Sequence, residues 1–425
     1  MNRICRLAHG GALFAVALVA SAQPPKSWPA DAFLPLTAAR IAALPAAQRP
    51  AWERYWEISL AQTKLLPARD LAEHSSNKPL DTAPLGASYS KGVDLGAKPG
   101  WYATEAARAI ADHVVTWQTI AGGWTKSGDY SRDRRPEDDH RDAWSAGTFD
   151  NDATIHELRY LVRVAASNAA APDQAARVAA WRASFLRGLD YILAAQYPNG
   201  GIPQIYPLAG GYHDAITFND DAMEHALDLL HDVAARRPEL AFVPVEKVAR
   251  ARDGFERGLH CILAAQLRDA AGAPTVWAQQ VDSLTLAPCA ARNFEPIAAC
   301  SQESAGVVEF LLTLDSPSPE VIAAVDGAMA WFRARALHGV VWNRNATTGS
   351  GLESRPGARD LWARFYELGT DKPIFGDRDR TIHYIETEIS FERRRGYAWF
   401  GSRPADLFSR YEKWRRELAT SARKG

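Results

Sequence analysis

The twelve residues Phe185–Gln196, F-L-R-G-L-D-Y-I-L-A-A-Q, return 70 positions later as F-E-R-G-L-H-C-I-L-A-A-Q over Phe255–Gln266, with nine identities. Both copies are apolar at helical spacing, and each runs into a stretch broken by Gly or Pro. A weaker relative, A-I-A-D-H-V-V-T-W-Q, ends at Gln118 ahead of Gly122-Gly123-Trp124. Further helices are expected between these at about 151–168, 217–235 and 302–314. A period of this length fits two helices and their connections, and self-similarity at a fixed period marks stacked units that share one core. The expected fold class is therefore mainly α: a partial α/α toroid of paired helices. The loops Gly122–Lys126, Tyr197–Tyr206 and Trp277–Gln280 would gather at one open end as a cleft.

Those loops hold the unusual chemistry. Between Gln196 and Met223 the chain reads Q-Y-P-N-G-G-I-P-Q-I-Y-P, then I-T-F-N-D-D-A-M. Tyr197, Tyr206 and Tyr212 interleaved with Asn199 and Gln204 suit a surface that grips sugar rings. Asp220 and Asp221 open the next helix, as Asp150, Asn151 and Asp152 open an earlier one. Acids at helix starts have an ordinary use as N-caps and dipole partners. They also suit a hard cation, which takes oxygen donors at flexible geometry, although the spacing is not that of an EF-hand. Arg292 lies in the A-R-N-F-E loop, and Arg364, Lys372, Arg378 and Arg380 lie among aromatics further on. Arginine binds carboxylates bidentately, which suits an acidic polymer.

The 425 residues carry 49 Lys+Arg against 50 Asp+Glu. Residues 1–22 read as a secretory signal, with Arg3 and Arg6, an apolar run from Gly11 to Val19 and a small-residue site at Ala20-Ser21-Ala22. Export to the periplasm or beyond is expected. Loss of the signal removes two arginines and no acids, leaving a formal charge of −3 that gives no support to nucleic-acid binding. No run is long enough for a membrane span, and a monomer is expected. Residues 23–100 read as an N-terminal extension with a helix near Ala46–Leu65 and a long loop, 101–415 as the main helical domain and 416–425 as a tail. Cys261 falls in a helical apolar run and is expected to be buried. Cys289 and Cys300 flank Arg292 and are expected to form a local disulfide in an oxidising compartment. No nucleophile elbow, zinc motif, P-loop or dinucleotide fingerprint occurs. His156 with Glu157, and Glu224 with His225, read as helix-surface or core pairs.

Seven ordered segments carry a family resemblance: G-G-W-T-K, G-T-F-D-N, A-A-Q-Y-P-N-G-G-I-P-Q-I-Y-P, T-F-N-D-D-A-M, A-R-N-F-E, L-W-A-R-F-Y-E-L-G-T-D-K-P-I-F and E-R-R-R-G-Y-A-W-F-G. Over about Ala106–Gly401 the chain resembles the pectate lyases of polysaccharide lyase family 10. The resemblance implies an α/α toroid and calcium-assisted β-elimination of polygalacturonate. It implies Arg292 as catalytic base, Asp150, Asn151 and Asp220 as calcium-site residues, Arg364 and Arg378 on substrate carboxylates, and Lys126 in the cleft. Asp152 departs from the pattern, where Gly often follows D-N, and adds negative charge beside the expected metal site. By chemistry alone a lysine loses its proton more easily than an arginine, so Lys126 stands as the alternative base. A noncatalytic polysaccharide-binding protein and a lyase for another polyuronate are the rival readings.

Overall fold

The computed structural model describes residues 26–29, 32–64, 92–126, 128–134, 146–347 and 349–421. The signal segment 1–22, the loop at 65–91 and the last four residues lie outside them. Eleven α-helices are described: α1 (Ala38–Ala42), α2 (Arg49–Thr63), α3 (Glu105–Thr116), α4 (Ile155–Asn168), α5 (Ala175–Ala195), α6 (Ala222–Ala234), α7 (Val245–Ala265), α8 (Ser301–Leu311), α9 (Pro319–Ala334), α10 (Phe391–Gly396) and α11 (Leu407–Ser421). Short strands fill the loops: β1 (Lys26–Ser27), β2 (Ile216–Thr217), β3 (Gln280–Val281), β4 (Ala299–Cys300), β5 (Val340–Trp342), β6 (Leu352–Ser354), β7 (Trp362–Ala363), β8 (Phe365–Tyr366), β9 (Pro373–Gly376), β10 (Thr381–His383) and β11 (Phe400–Gly401).

Helices α4, α6 and α8 contact one another in series, and α3, α5, α7 and α9 form a second series outside them. The inner helices bury most of their residues, whereas α7 buries only a stripe. This is the expected mainly α architecture, and the duplicated segment is the C-terminal half of outer helices α5 and α7.

The identities of that segment have physical reasons. A Cβ on Gly188 would stand 2.5 Å from Leu158 Cδ2, and one on Gly258 would stand 2.2 Å from Leu227 Cδ2. Each glycine therefore lets an outer helix press against the inner helix of its unit. The terminal glutamine stitches neighbours together. Gln196 Nε2 donates to its own turn at Gly200 O (2.9 Å) and to α7 at Gly254 O (2.7 Å). Gln266 repeats this with Thr275 O and, on α9, Ala324 O, both at 2.9 Å. Gln118 does so with Gly122 O (2.7 Å) and, on α5, Ser184 O (2.9 Å).

Past the ring, a five-stranded sheet runs in the order β1-β10-β9-β8-β4, and β4 leads directly into α8. Cys300 lies on β4 opposite Phe365 of β8. The expected Cys289–Cys300 disulfide is absent: both thiols are free and buried, as is Cys261. The reason is local. The Cys300 thiol donates to the Glu303 carboxylate, while Cys289 Sγ lies 3.9 Å from the Gln280 amide. Burial pushes the Cys289 thiol up to about 12. The Arg292 loop is closed instead by backbone bonds, with Val281 bridged to Pro288 and Cys289 N–H donating to Gln280 O at 3.2 Å.

Candidate active site

The outer helices end, and the inner helices begin, at one end of the ring. There the chain folds two acidic turns in an uncommon way. Asn151, Asp152 and Thr154 have φ of 50°, 65° and 70°, and Asp220 and Asp221 have φ of 53° and 57°. Left-handed backbone costs an ordinary residue roughly 1–2 kcal/mol. Neither α4 nor α6 gains a side-chain N-cap bond in return. The ordinary capping role is thus not what these acids perform. The turns bring Asp150 and Asp220 together, where Asn219 Nδ2 donates to both, to Asp150 Oδ1 at 3.4 Å and to Asp220 Oδ2 at 2.8 Å.

Asp150 is 4% exposed and heavily partnered. Lys126 Nζ pairs with its Oδ2, Asn151 Nδ2 donates to the same oxygen at 2.7 Å, and Gln204 Nε2 donates to Oδ1 at 2.9 Å. Gln204 is oriented in turn by His213, whose Nδ1 donates to Oε1 at 2.8 Å. Burial works to raise the Asp150 carboxyl, but Lys126 and the hydrogen bonds outweigh it and hold it below its usual range. Asp220 is pushed up to about 7 by burial and then by Asp150 beside it. Two facing carboxylates, of which one must take a proton, are what a divalent cation would relieve. With Asn151 the donor set is all oxygen, the preference of calcium. Among the described residues no three His, Cys, Asp or Glu side chains form a metal cage, so a cation here would draw further oxygens from amides, water or substrate.

Asp152 does not join this pair. Its Oδ1 lies 2.9 Å from His225 Nδ1 and 3.7 Å from His156 Nε2 instead. Glu157 and Glu224 are buried on α4 and α6.

The arginines stand alongside. Asn219 Nδ2 donates to Asp220 at 2.8 Å, and its Oδ1 accepts from Arg364 Nη2 at 3.1 Å. Arg364 is also paired with Glu303, and its guanidinium lies 4.8 Å from the Tyr397 ring centre. The same ring has Arg292 at 5.7 Å, and its hydroxyl donates to Glu295 at 2.7 Å. Glu295 grips Arg292 as a fork: Nε to Oε2 at 2.8 Å and Nη2 to Oε1 at 2.6 Å. The Arg292 side chain is 44% exposed while that of Glu295 is 2% exposed, so the buried acid fixes one edge of an arginine at the surface. Burial alone would lower the Arg292 pKa, but Glu295 raises it above its usual value, and Glu295 itself falls to about 2. Arg378, in the β9–β10 turn, is forked on Glu392 at 3.0 Å through both Nε and Nη2, and it shares the Phe294 ring with Arg292.

The structure thus gathers Lys126, Asp150, Asn151, Asp220 and Arg364 in one bonded network, with Arg292 and Arg378 joined to it through Tyr397, Glu295 and Phe294. Sequence reasoning missed Glu295, Glu303, Glu392, Tyr397 and the Gln204–His213 relay. For Glu295 a signal existed, an arginine and an acid three residues apart in A-R-N-F-E. Glu303 reads in sequence as an ordinary first-turn acid.

The pectic acid lyase family model matches residues 118–408. A mutant of a family 10 polysaccharide lyase from Cellvibrio cellulosa, solved in complex with trigalacturonic acid, is 31% identical, with a TM-score of 0.65 over 74% of this chain and 95% of that one. A family 10 polysaccharide lyase structure from the same organism gives 31% identity and a TM-score of 0.64, covering 76% of this chain and 98% of that one. No curated protein matches the chain. The matched segment contains both acidic turns and every arginine of the network, and on these matches the chain belongs to the pectic acid lyases, the family 10 polysaccharide lyases.

Proposed function

We propose that this chain cleaves the α-1,4-linked galacturonan of pectate by β-elimination, with Arg292 as the base. The C5 proton of a uronate is acidified by the adjacent carboxylate. Calcium held by the oxygens of Asp150, Asn151 and Asp220 would neutralise that carboxylate and act as a Lewis acid. Arg364 and Arg378 would orient neighbouring carboxylates. Arg292 would take the C5 proton on Nη1, which lies outside the Glu295 fork. The C5–H electrons then form the C4=C5 double bond as the C4–O bond breaks, and the departing oxygen collects a proton from water. The supporting observation is the continuous network from the paired aspartates to an arginine held rigidly by one edge. Glu295 raises the Arg292 pKa, which opposes the base form in the free protein, so this role depends on cations brought beside the guanidinium with the substrate.

The Glu295 fork also favours a second reading, in which Arg292 stays protonated and grips a carboxylate while Lys126 removes the proton. Arg292→Lys separates the two. As base in a fixed fork, Arg292 cannot be replaced by lysine, and turnover should vanish with KM little changed. An Arg292→Lys enzyme within about tenfold of wild type, roughly 1.4 kcal/mol, transfers the base role to Lys126. Formation of the unsaturated product, followed by absorbance on polygalacturonate with and without chelator, is the assay. Binding without any product in calcium would return the chain to the noncatalytic reading.

A further inference from the structure

Residues 26–29 and 32–64 precede the matched family segment, yet they touch three of the loops around the site. At one end, β1 adds an edge to β10, and Lys26 Nζ bonds Glu367 at 2.7 Å. Trp28 N–H donates to Arg380 O at 3.3 Å, so this contact lies on the hairpin whose turn carries Arg378. In the middle, Leu36 N–H donates to Asp214 at 3.2 Å, next to His213 of the Gln204 relay, and Phe33 meets Tyr212 edge-on at 6.4 Å. At the far end, Tyr55 OH donates to Ala195 O at 3.0 Å, and Leu208 N–H donates to Ser59 Oγ at 3.0 Å.

The contact with the Arg292 loop is the most specific. Arg40 Nη2 donates to Asp282 Oδ2 at 2.6 Å, and its Nη1 is tied to Leu34 O (2.6 Å) and Pro35 O (3.1 Å). Asp282 is 2% exposed, and its other oxygen accepts from the Leu284 N–H (3.1 Å) and the Thr285 N–H (2.9 Å), so it organises the turn that starts this loop. Two residues before Arg292, Ala290 is held from both sides. Its N–H donates to Ala32 O at 3.3 Å, and its carbonyl accepts from Gln280 Nε2 at 3.0 Å.

We propose that residues 26–29 and 32–63 form a strap that positions the site, with Arg40 as the positioning residue that fixes the Arg292 loop through Asp282. Its contacts described above fall on loop residues and not on the acids and arginines of the site. It acts by setting where the arginine-bearing loops stand, and a displacement of about 1 Å at a reacting group can lower a rate about a hundredfold. The part of this inference that concerns turnover rests on the lyase reading above; the part that concerns loop order does not.

The test compares full-length wild type, Arg40→Ala, Arg40→Lys and, as a control on the exposed side of α2, Glu53→Ala. Turnover on polygalacturonate and amide hydrogen exchange of residues 282–295 are both measured. The expected result for Arg40→Ala is a fall in kcat of at least about tenfold with little change in KM, together with faster exchange in 282–295 but not in α4, α6 or α8. Arg40→Lys should recover part of both, and Glu53→Ala should match wild type. Unchanged exchange with kcat within about twofold of wild type would overturn the proposal, as would a uniform rise in exchange across the ring. If Arg40→Ala fails to fold, Asp282→Asn keeps the turn's backbone acceptor while losing the ion pair, and the same two outcomes decide the matter. Wild type without lyase activity would sink the pectate reading and leave the exchange result to decide on the strap.

Discussion

The starts of α4 and α6 use the same backbone device and reach opposite electrostatic ends. Asn151 and Asp220 are the middle residues of their turns, with φ of 50° and 53°, and each turn aims a carboxylate at the other. Asp150 is held ionised by Lys126 once burial is overcome, whereas Asp220 is pushed up to about 7 by burial and its neighbour. Backbone conformation delivers the two acids, and the partners behind them assign their charge. A pair of equal carboxylates would repel; a pair made unequal can pass between a proton and a cation.

The largest break in this asymmetry is Asp150→Asn. It removes the acceptor shared by Lys126, Gln204 and Asn151, and kcat/KM should fall on the order of a thousandfold, about 4 kcal/mol. Steady-state rates in saturating calcium check it, and activity near wild type would remove Asp150 from the proposed metal site.

Asp220→Asn should sharpen the contrast through stability, with the opposite sign from Asp150→Asn. The Asp220 pKa is raised by folding, so the folded state keeps a proton that the unfolded chain releases. Stability from this group is therefore present below the unfolded pKa and is lost as pH climbs to about 7. At pH 8 in chelator, Asp220→Asn should be more stable than wild type by on the order of 1–2 kcal/mol, while Asp150→Asn should be less stable, both read from urea midpoints. The same Asp220→Asn substitution should abolish any calcium-induced rise in melting temperature, a shift read without reference to activity.

The smallest effect lies one turn further along α4. Glu157 is fully buried, bonded by the Tyr130 hydroxyl at 2.8 Å, and pushed up to about 7 by burial. By the same sign it lowers stability between about pH 4.5 and 7. Glu157→Gln should flatten that slope and add about 1 kcal/mol at pH 8, read from urea midpoints across the pH range.

The helical ring was legible because its repeated residues each do a repeated job. Gly188 and Gly258 admit the inner helix, and Gln118, Gln196 and Gln266 each bond their own turn and the next outer helix. Such constraints fix residue type at fixed spacing. The acids and arginines of the site were legible as types in loops, and family likeness supplied their grouping. What was not legible depends on contacts far apart in the chain. Tyr397 reaches Glu295 across 102 residues, and Arg364 reaches Asn219 across 145. The disulfide expectation failed for a related reason, since proximity in sequence said nothing of Glu303 drawing the Cys300 thiol aside. Asp152 likewise read as extra charge beside the expected metal site, and its two histidine neighbours were not legible in the sequence.

The three buried thiols carry a consequence for how the chain matures. Cys261 and Cys289 are pushed up to about 12, and Cys300 is raised as well, so none offers appreciable thiolate at neutral pH to oxidants or alkylating reagents. With no covalent crosslink among them, these three thiols give folding no need of an oxidising compartment or a disulfide isomerase. The ring can reach its native state on either side of a membrane with the same bonds in place. A preparation of residues 23–425 folded under reducing conditions should be indistinguishable in mass, thiol count and melting temperature from one folded under oxidising conditions.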